Sequence, residues 1–169
     1  MTVRIPRLAA TMVLASITLA GCSGDDTFPS EVTTVSLAVV PDADHGGHPF
    51  PTDLTQEVWH HPTDYAGDPN GTGTALITVN LGQGEICWHT TVSGIVLPAS
   101  ASHIHKNVVD FQGGIYVFLT PPGASGEVSG CRSEDRAKLK HIVQFPDSFY
   151  VNVHTSEYPV GAVRGQLGR

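Results

Sequence analysis

From about Leu54 onward, apolar and polar residues alternate in short runs broken by Gly, Pro, Asn and Asp. Alternation with a period of two marks strands with one face buried. The runs are Leu54 to Val58, Thr74 to Leu81, Glu85 to Ile95, Ala101 to His105, Gly113 to Leu119, Gly126 to Cys131, Phe149 to His154 and Gly161 to Leu167. Turn residues separate them: Asp68-Pro69-Asn70-Gly71, Gly82-Gln83-Gly84 and Pro121-Pro122-Gly123. The pattern predicts an all-β fold, an antiparallel β-sandwich or Greek-key-like barrel of about seven to eight strands. One short helix is expected after Ser133, its predicted N-cap, with Glu134 and Asp135 in the first turn. Leu139, Ile142 and Val143 form its apolar stripe, and Pro146 stops it.

The start of the chain follows another pattern. Arg4 and Arg7 precede an apolar run from Leu8 to Ala20, too short for a membrane span and suited to a signal h-region. The run ends in Leu19-Ala20-Gly21-Cys22, which resembles the lipobox of bacterial lipoproteins. That resemblance implies that residues 1–21 are a signal peptide and that Cys22 is lipidated. The protein would then be exported and held at the outer face of the cell membrane. The alternative is an ordinary secretory signal with a chance cysteine; both readings export the domain. Residues 22–50 are expected to be a flexible tether, with an apolar patch from Val35 to Val40, and residues 51–169 the folded domain. His45, His48, His60 and His61 make the segment 45–61 histidine-rich, but no Cys or acid spacing turns it into a defined site.

Three cysteines leave Cys87 and Cys131 as a pair once Cys22 is set aside. In an oxidising compartment a disulfide is their natural state, and two buried thiols are the alternative. The formal charge of −7 removes any electrostatic case for nucleic-acid binding. Glu57, Glu85 and Glu127 are scattered, and no nucleophile–His–acid set or phosphate loop is present, so no hydrolytic chemistry is expected.

Strand parity gathers the candidate chemistry. In Ser102-His103-Ile104-His105 the two imidazoles share a face, and in Val151-Asn152-Val153-His154 the amide and imidazole do. With Ile104, Val151, Val153, Val163 and Leu167 in the core, His103, His105, Asn152, His154, Arg164 and Gln166 fall on the polar side. Three imidazoles on neighbouring strands suit copper or zinc. A hydrogen-bonded polar cluster that pins the strands is the alternative for the same residues, with Arg164 bonding the carbonyls around Pro159-Val160-Gly161.

Several motifs match a known family. Leu54-Thr-Gln-Glu57-Val58, Gly71-Thr-Gly-Thr-Ala75, Ile86-Cys87-Trp88, Ser102 to His105, Tyr150-Val-Asn-Val-His154-Thr155 and Pro159-Val-Gly-Ala-Val-Arg164-Gly-Gln-Leu167 resemble the CHRD domain. This module is named after the developmental regulator chordin and is widespread in exported bacterial proteins. The resemblance departs after His105, where Lys106-Asn107-Val108-Val109 stands in place of small Gly- or Pro-rich residues. It implies an extracellular all-β module; the role expected for it is a non-catalytic binding or cell-envelope module of unknown ligand, with an extracellular protein or a metal ion as the candidate partner. A more distant resemblance is to Cu/Zn superoxide dismutases, through His103-Ile-His105, Val153-His154, Arg164 and the two cysteines in the same order. It implies copper on His103, His105 and His154, with Arg164 steering an anion. No bridging histidine and no zinc-site Asp are present, so only a copper-only form fits.

Overall fold

The computed structural model describes residues 46–168. The signal segment, Cys22, the Val35 to Val40 patch and His45 lie outside the described residues.

Eight strands form one antiparallel sheet. In chain order they are β1 (His48–Gln56), β4 (Thr72–Asn80), β5 (Glu85–Ser93), β6 (Ala101–Lys106), β8 (Gly114–Leu119), β9 (Glu127–Ser133), β10 (Phe149–His154) and β11 (Val163–Gln166). Across the sheet the order is β8-β6-β10-β11-β1-β4-β5-β9. The sheet rolls until its two edges meet at one side-chain bond, where Arg132 of β9 donates from Nη1 to the Phe118 carbonyl of β8 at 3.2 Å. The remaining strands, β2 (Val58–His61), β3 (Tyr65–Ala66) and β7 (Asp110–Phe111), make a small second sheet in the order β3-β2-β7. The expected all-β, barrel-like fold is the one observed.

The inner face of the roll carries the alternating apolar set. Leu54, Ile77, Val79, Ile86, Ile104, Val117, Val151, Val153 and Val163 are all buried in one core. Each such side chain contributes about 2 kcal/mol relative to an exposed position. Trp88 also points inward, and Gly130 lies directly across from it on β9. A Cβ at Gly130 would sit 2.5 Å from the indole, so the ring occupies the space of the missing side chain. The helix α1 (Arg136–Gln144) adds Leu139 and Ile142 to the same core.

Two of the boundary differences have a plain physical cause. The first strand starts at His48, six residues before Leu54, because residues 48–54 pair in register with 73–79 of β4. The polar and proline residues of this stretch hide the strand signal. The helix is capped by Asp135 and not by Ser133; the Asp135 carboxylate accepts from the Ala137 and Lys138 amides. Ser133 is instead the last residue of β9, held by pairing with Glu85.

Cys87 and Cys131 are cross-strand partners in β5 and β9 and form a disulfide across 44 residues of chain. It ties edge strand β9 to the sheet. Closing a loop of this length stabilises by about 4 kcal/mol in the chain-entropy model. The Cys87→Ser/Cys131→Ser double variant is therefore expected to lose about that much in urea unfolding. A loss below about 1 kcal/mol would show that strand pairing alone holds β9.

Candidate metal centre

Strands β6, β10 and β11 are neighbours, and their registers bring the polar residues together. Asn152 lies opposite His103 on one side and Arg164 on the other, and Tyr150 lies opposite His105 and Gln166. Ile104, Val151, Val153, Val163 and Leu167 are in the core, as their parity requires, and the polar set occupies the other face. That face, however, is not in solvent. His105, Asn152, His154, Arg164 and Gln166 are all buried.

What covers it is the β2–β3 segment and the stretch 107–113. The stretch 107–113 is held to the face through its backbone. Arg164 donates from Nη1 to the Phe111 carbonyl at 3.0 Å and from Nη2 to that of Val108 at 3.1 Å. Gln166 donates from Nε2 to the carbonyls of Asn107 and Asp147, at 2.8 and 2.7 Å, and its Oε1 accepts from Arg164 at 3.2 Å. The Arg164 guanidinium lies 3.5 Å from the centre of the Tyr150 ring. Gly113 donates its N–H to the Tyr150 hydroxyl at 2.9 Å. Arg164 thus bonds loop carbonyls, but those of 107–113 and not those around Pro159. The covering contacts use backbone groups, so the unusual side chains of Val108 and Val109 stay outside, where both are exposed.

The three imidazoles form a tight group: one nitrogen of each lies within 4.8 Å of the others. Two are fixed by carbonyls. His105 Nδ1 lies 2.8 Å from the Gly113 oxygen, and His154 Nδ1 lies 3.1 Å from the Pro159 oxygen. A carbonyl only accepts, so both Nδ1 atoms carry the proton and both Nε2 atoms present lone pairs. The Nε2 atom of His105 is buried without a hydrogen-bond partner. His154 Nε2 lies 3.1 Å from His103 Nδ1 and 3.1 Å from Asn152 Oδ1. His103 is only half buried, edge-on to Phe118, a residue 59 % exposed, so the group opens to solvent on that side.

All three rings are held neutral. Burial pulls His103 down to about 4, helped by repulsion from His154 and His105. Burial likewise lowers His105 and His154, against the opposing pull of their carbonyl partners. Asn152 also offsets part of the effect on His105 but makes no hydrogen bond to its Nε2. Neutral rings with converging lone pairs are what a transition-metal ion needs.

Glu57 was not among the candidates from sequence. It lies between β1 and β2, fully buried, and its Oε2 accepts from Asn152 Nδ2 at 3.2 Å while Oε1 has no partner. Gly161 makes room for it, since a Cβ there would overlap Oε2 at 1.7 Å, and its φ of +146° is one that L side chains rarely adopt. Burial pushes the carboxyl up to about 8, with Asn152 and Arg164 opposing. The signal that points to it is the acid inside Leu54-Thr-Gln-Glu57-Val58, a motif otherwise suited to a buried strand. A separate cleft of about 380 Å³ opens beyond Arg164, between Asp53, Thr55 and Asp110, and no histidine of the group lines it.

The titrations have opposite signs. Between its usual 4.5 and about 8, Glu57 keeps a proton in the folded chain that the unfolded chain gives up. Stability from this group is therefore lost as pH rises through that window. The lowered imidazoles act in reverse, costing stability as pH falls below about 6.5. Glu57→Gln, neutral throughout, is expected to melt with the metal-free wild type at pH 5 and at least about 4 °C above it at pH 8. Equal melting temperatures at both pH values would mean that the folded chain carries this carboxylate without cost.

A family model described as the CHRD domain matches residues 50–167, a span that includes every residue of this centre. No curated protein and no solved structure matches the chain. With most of its length, its all-β fold and all its polar-face motifs inside that match, the chain belongs to the CHRD-domain family.

Proposed function

We propose that this CHRD domain is an exported, lipid-anchored module that holds one copper ion on His103, His105 and His154 without turning over a substrate. The observation that carries the reading is a shortage of protons. His105 Nδ1–H and His154 Nδ1–H are taken by carbonyls, and the Asn152 amide N–H that bonds Glu57 is taken as well. His103 Nδ1 is left as the one donor facing two imidazole lone pairs and an amide oxygen. A buried cluster of acceptors short of donors is costly, and a cation removes the cost.

The donor set favours copper. All three side chains are imidazoles, and for such nitrogen sites the divalent series peaks at copper. The carbonyl bonds to Nδ1 are the outer partners that orient metal-binding histidines. Arg164, which the dismutase resemblance would put over the ion, is spent on Val108, Phe111 and Gln166. That favours holding an ion over reacting with a diffusing anion. The lipid anchor at Cys22 and the export to the outer membrane face rest on the lipobox resemblance.

Titration of the purified protein with Cu(II) is expected to give one tight equivalent whose EPR spectrum shows nitrogen hyperfine structure. His154→Ala should weaken binding by at least about tenfold. Absence of stoichiometric binding in the wild type would refute the reading. For the anchor, Cys22→Ser is expected to move the protein from the membrane fraction to the soluble one; unchanged membrane retention would count against lipidation.

A further inference from the structure

The metal reading leaves one contact unexplained, and it points to a fourth donor. Asn152 Oδ1 lies 3.1 Å from His154 Nε2. Since His154 carries its proton on Nδ1, toward the Pro159 carbonyl, no hydrogen lies between these two atoms. Two lone pairs at that distance in a buried site repel. The same spacing is what two donors of one ion require: ligands about 2.05 Å from a tetrahedral centre stand ~3.3 Å apart. His103 Nδ1 stands at the same 3.1 Å from His154 Nε2.

We propose that Asn152 Oδ1 is the oxygen donor that completes the copper site, and that Glu57 is the positioning residue that aims it. This rests on the metal-binding reading and extends it. Asn152 is fixed at the centre of the group by register, directly across from His103 and two residues from His154 on the same face. Its amide can take two orientations. With the nitrogen toward the imidazoles it would donate to the His154 lone pair and block it. With the oxygen toward them it presents a donor to the ion. Glu57 Oε2 holds the second by accepting from Nδ2, which it does with the acid proton on the unpartnered Oε1 as well as without it. The carboxyl is in turn seated by Gly161, where any side chain would overlap it. Arg164, Tyr65 and Tyr150 are the other charged or titratable groups that act on Glu57, and none of them hydrogen-bonds its carboxyl. Asn152 is thus the link between the Glu57 carboxyl and the imidazoles. The arrangement also places a potential negative charge one side chain away from the ion.

The test uses the full chain and Cu(II) itself, read by affinity and by EPR in water enriched in oxygen-17. Wild type is expected to bind one Cu(II) with little oxygen-17 broadening from bound solvent. Asn152→Ala is expected to bind at least about tenfold more weakly, with three nitrogens retained and new broadening as water fills the vacated position. Asn152→Asp keeps the oxygen and adds charge, so it should bind at least as tightly as wild type with shifted g and hyperfine values. Glu57→Gln, which no longer dictates the amide orientation, should weaken binding by about tenfold with the nitrogen signature intact. Equal affinity and identical spectra for wild type and Asn152→Ala would overturn the fourth-donor proposal and leave the three-histidine site standing. Should Asn152→Ala fail to fold, an Asn152→Asp spectrum identical to wild type overturns it equally. Wild type that binds no copper overturns both readings together.

Discussion

The constraint on which the structure depends is that the outer face of β6, β10 and β11 is polar and also buried. A polar face in water needs nothing further. Once covered, every N–H and every lone pair on it must find a partner or raise the free energy of the fold. The protein meets most of this demand by pairing side chains of the sheet with backbone atoms of its cover. Arg164 and Gln166 act as clasps, donating to the carbonyls of Asn107, Val108, Phe111 and Asp147. The small β3-β2-β7 sheet and the 107–113 segment are therefore ordered by the face they cover.

The same bonds set up the chemistry. Gly113 uses both of its backbone groups, donating to Tyr150 and accepting from His105. The cover thereby fixes one imidazole tautomer, and the Pro159 carbonyl fixes another. With both protons turned outward, the inner edges of His105 and His154 are left as bare lone pairs beside His103 and Asn152. Holding the cover and preparing the donors are one hydrogen-bond network, with Glu57 at its far end. Arg164 belongs to the holding part. Its guanidinium, read from the order of motifs as an anion guide, is committed to the cover before any ligand arrives.

Much of this was legible in the sequence, for a physical reason. A period of two assigns each residue to a face with no knowledge of pairing, so Ile104, Val151 and Val153 could be separated from His103, Asn152 and His154 at once. The odd cysteine count and the turn residues were equally direct; Asp68 does make the Asx turn that Asp-Pro-Asn-Gly predicts, accepting from the Asn70 amide at 3.0 Å. Parity says nothing about what lies on top of a face. The cover is made by backbone atoms of irregular segments, which carry no residue-type signal, so the burial of Arg164 and Gln166 and the role of 107–113 were invisible. Glu57 carries no signal of its own in the sequence, because a lone acid gains meaning only through its partner Asn152, 95 residues away. The helix start was misplaced by two residues because Ser133 and Asp135 are both good caps, and only the pairing of Ser133 with Glu85 decides between them.

The central claim is that two backbone carbonyls turn His105 and His154 so that their Nε2 lone pairs converge before any metal is present. Long-range proton–nitrogen NMR of the imidazole rings in the metal-free protein near pH 7 reads this directly. The account predicts neutral rings protonated at Nδ1 for both His105 and His154, with Nε2 unprotonated in both, free in His105 and facing the His103 donor in His154. Protonation at Nε2 in either ring, or a charged ring at that pH, would contradict it.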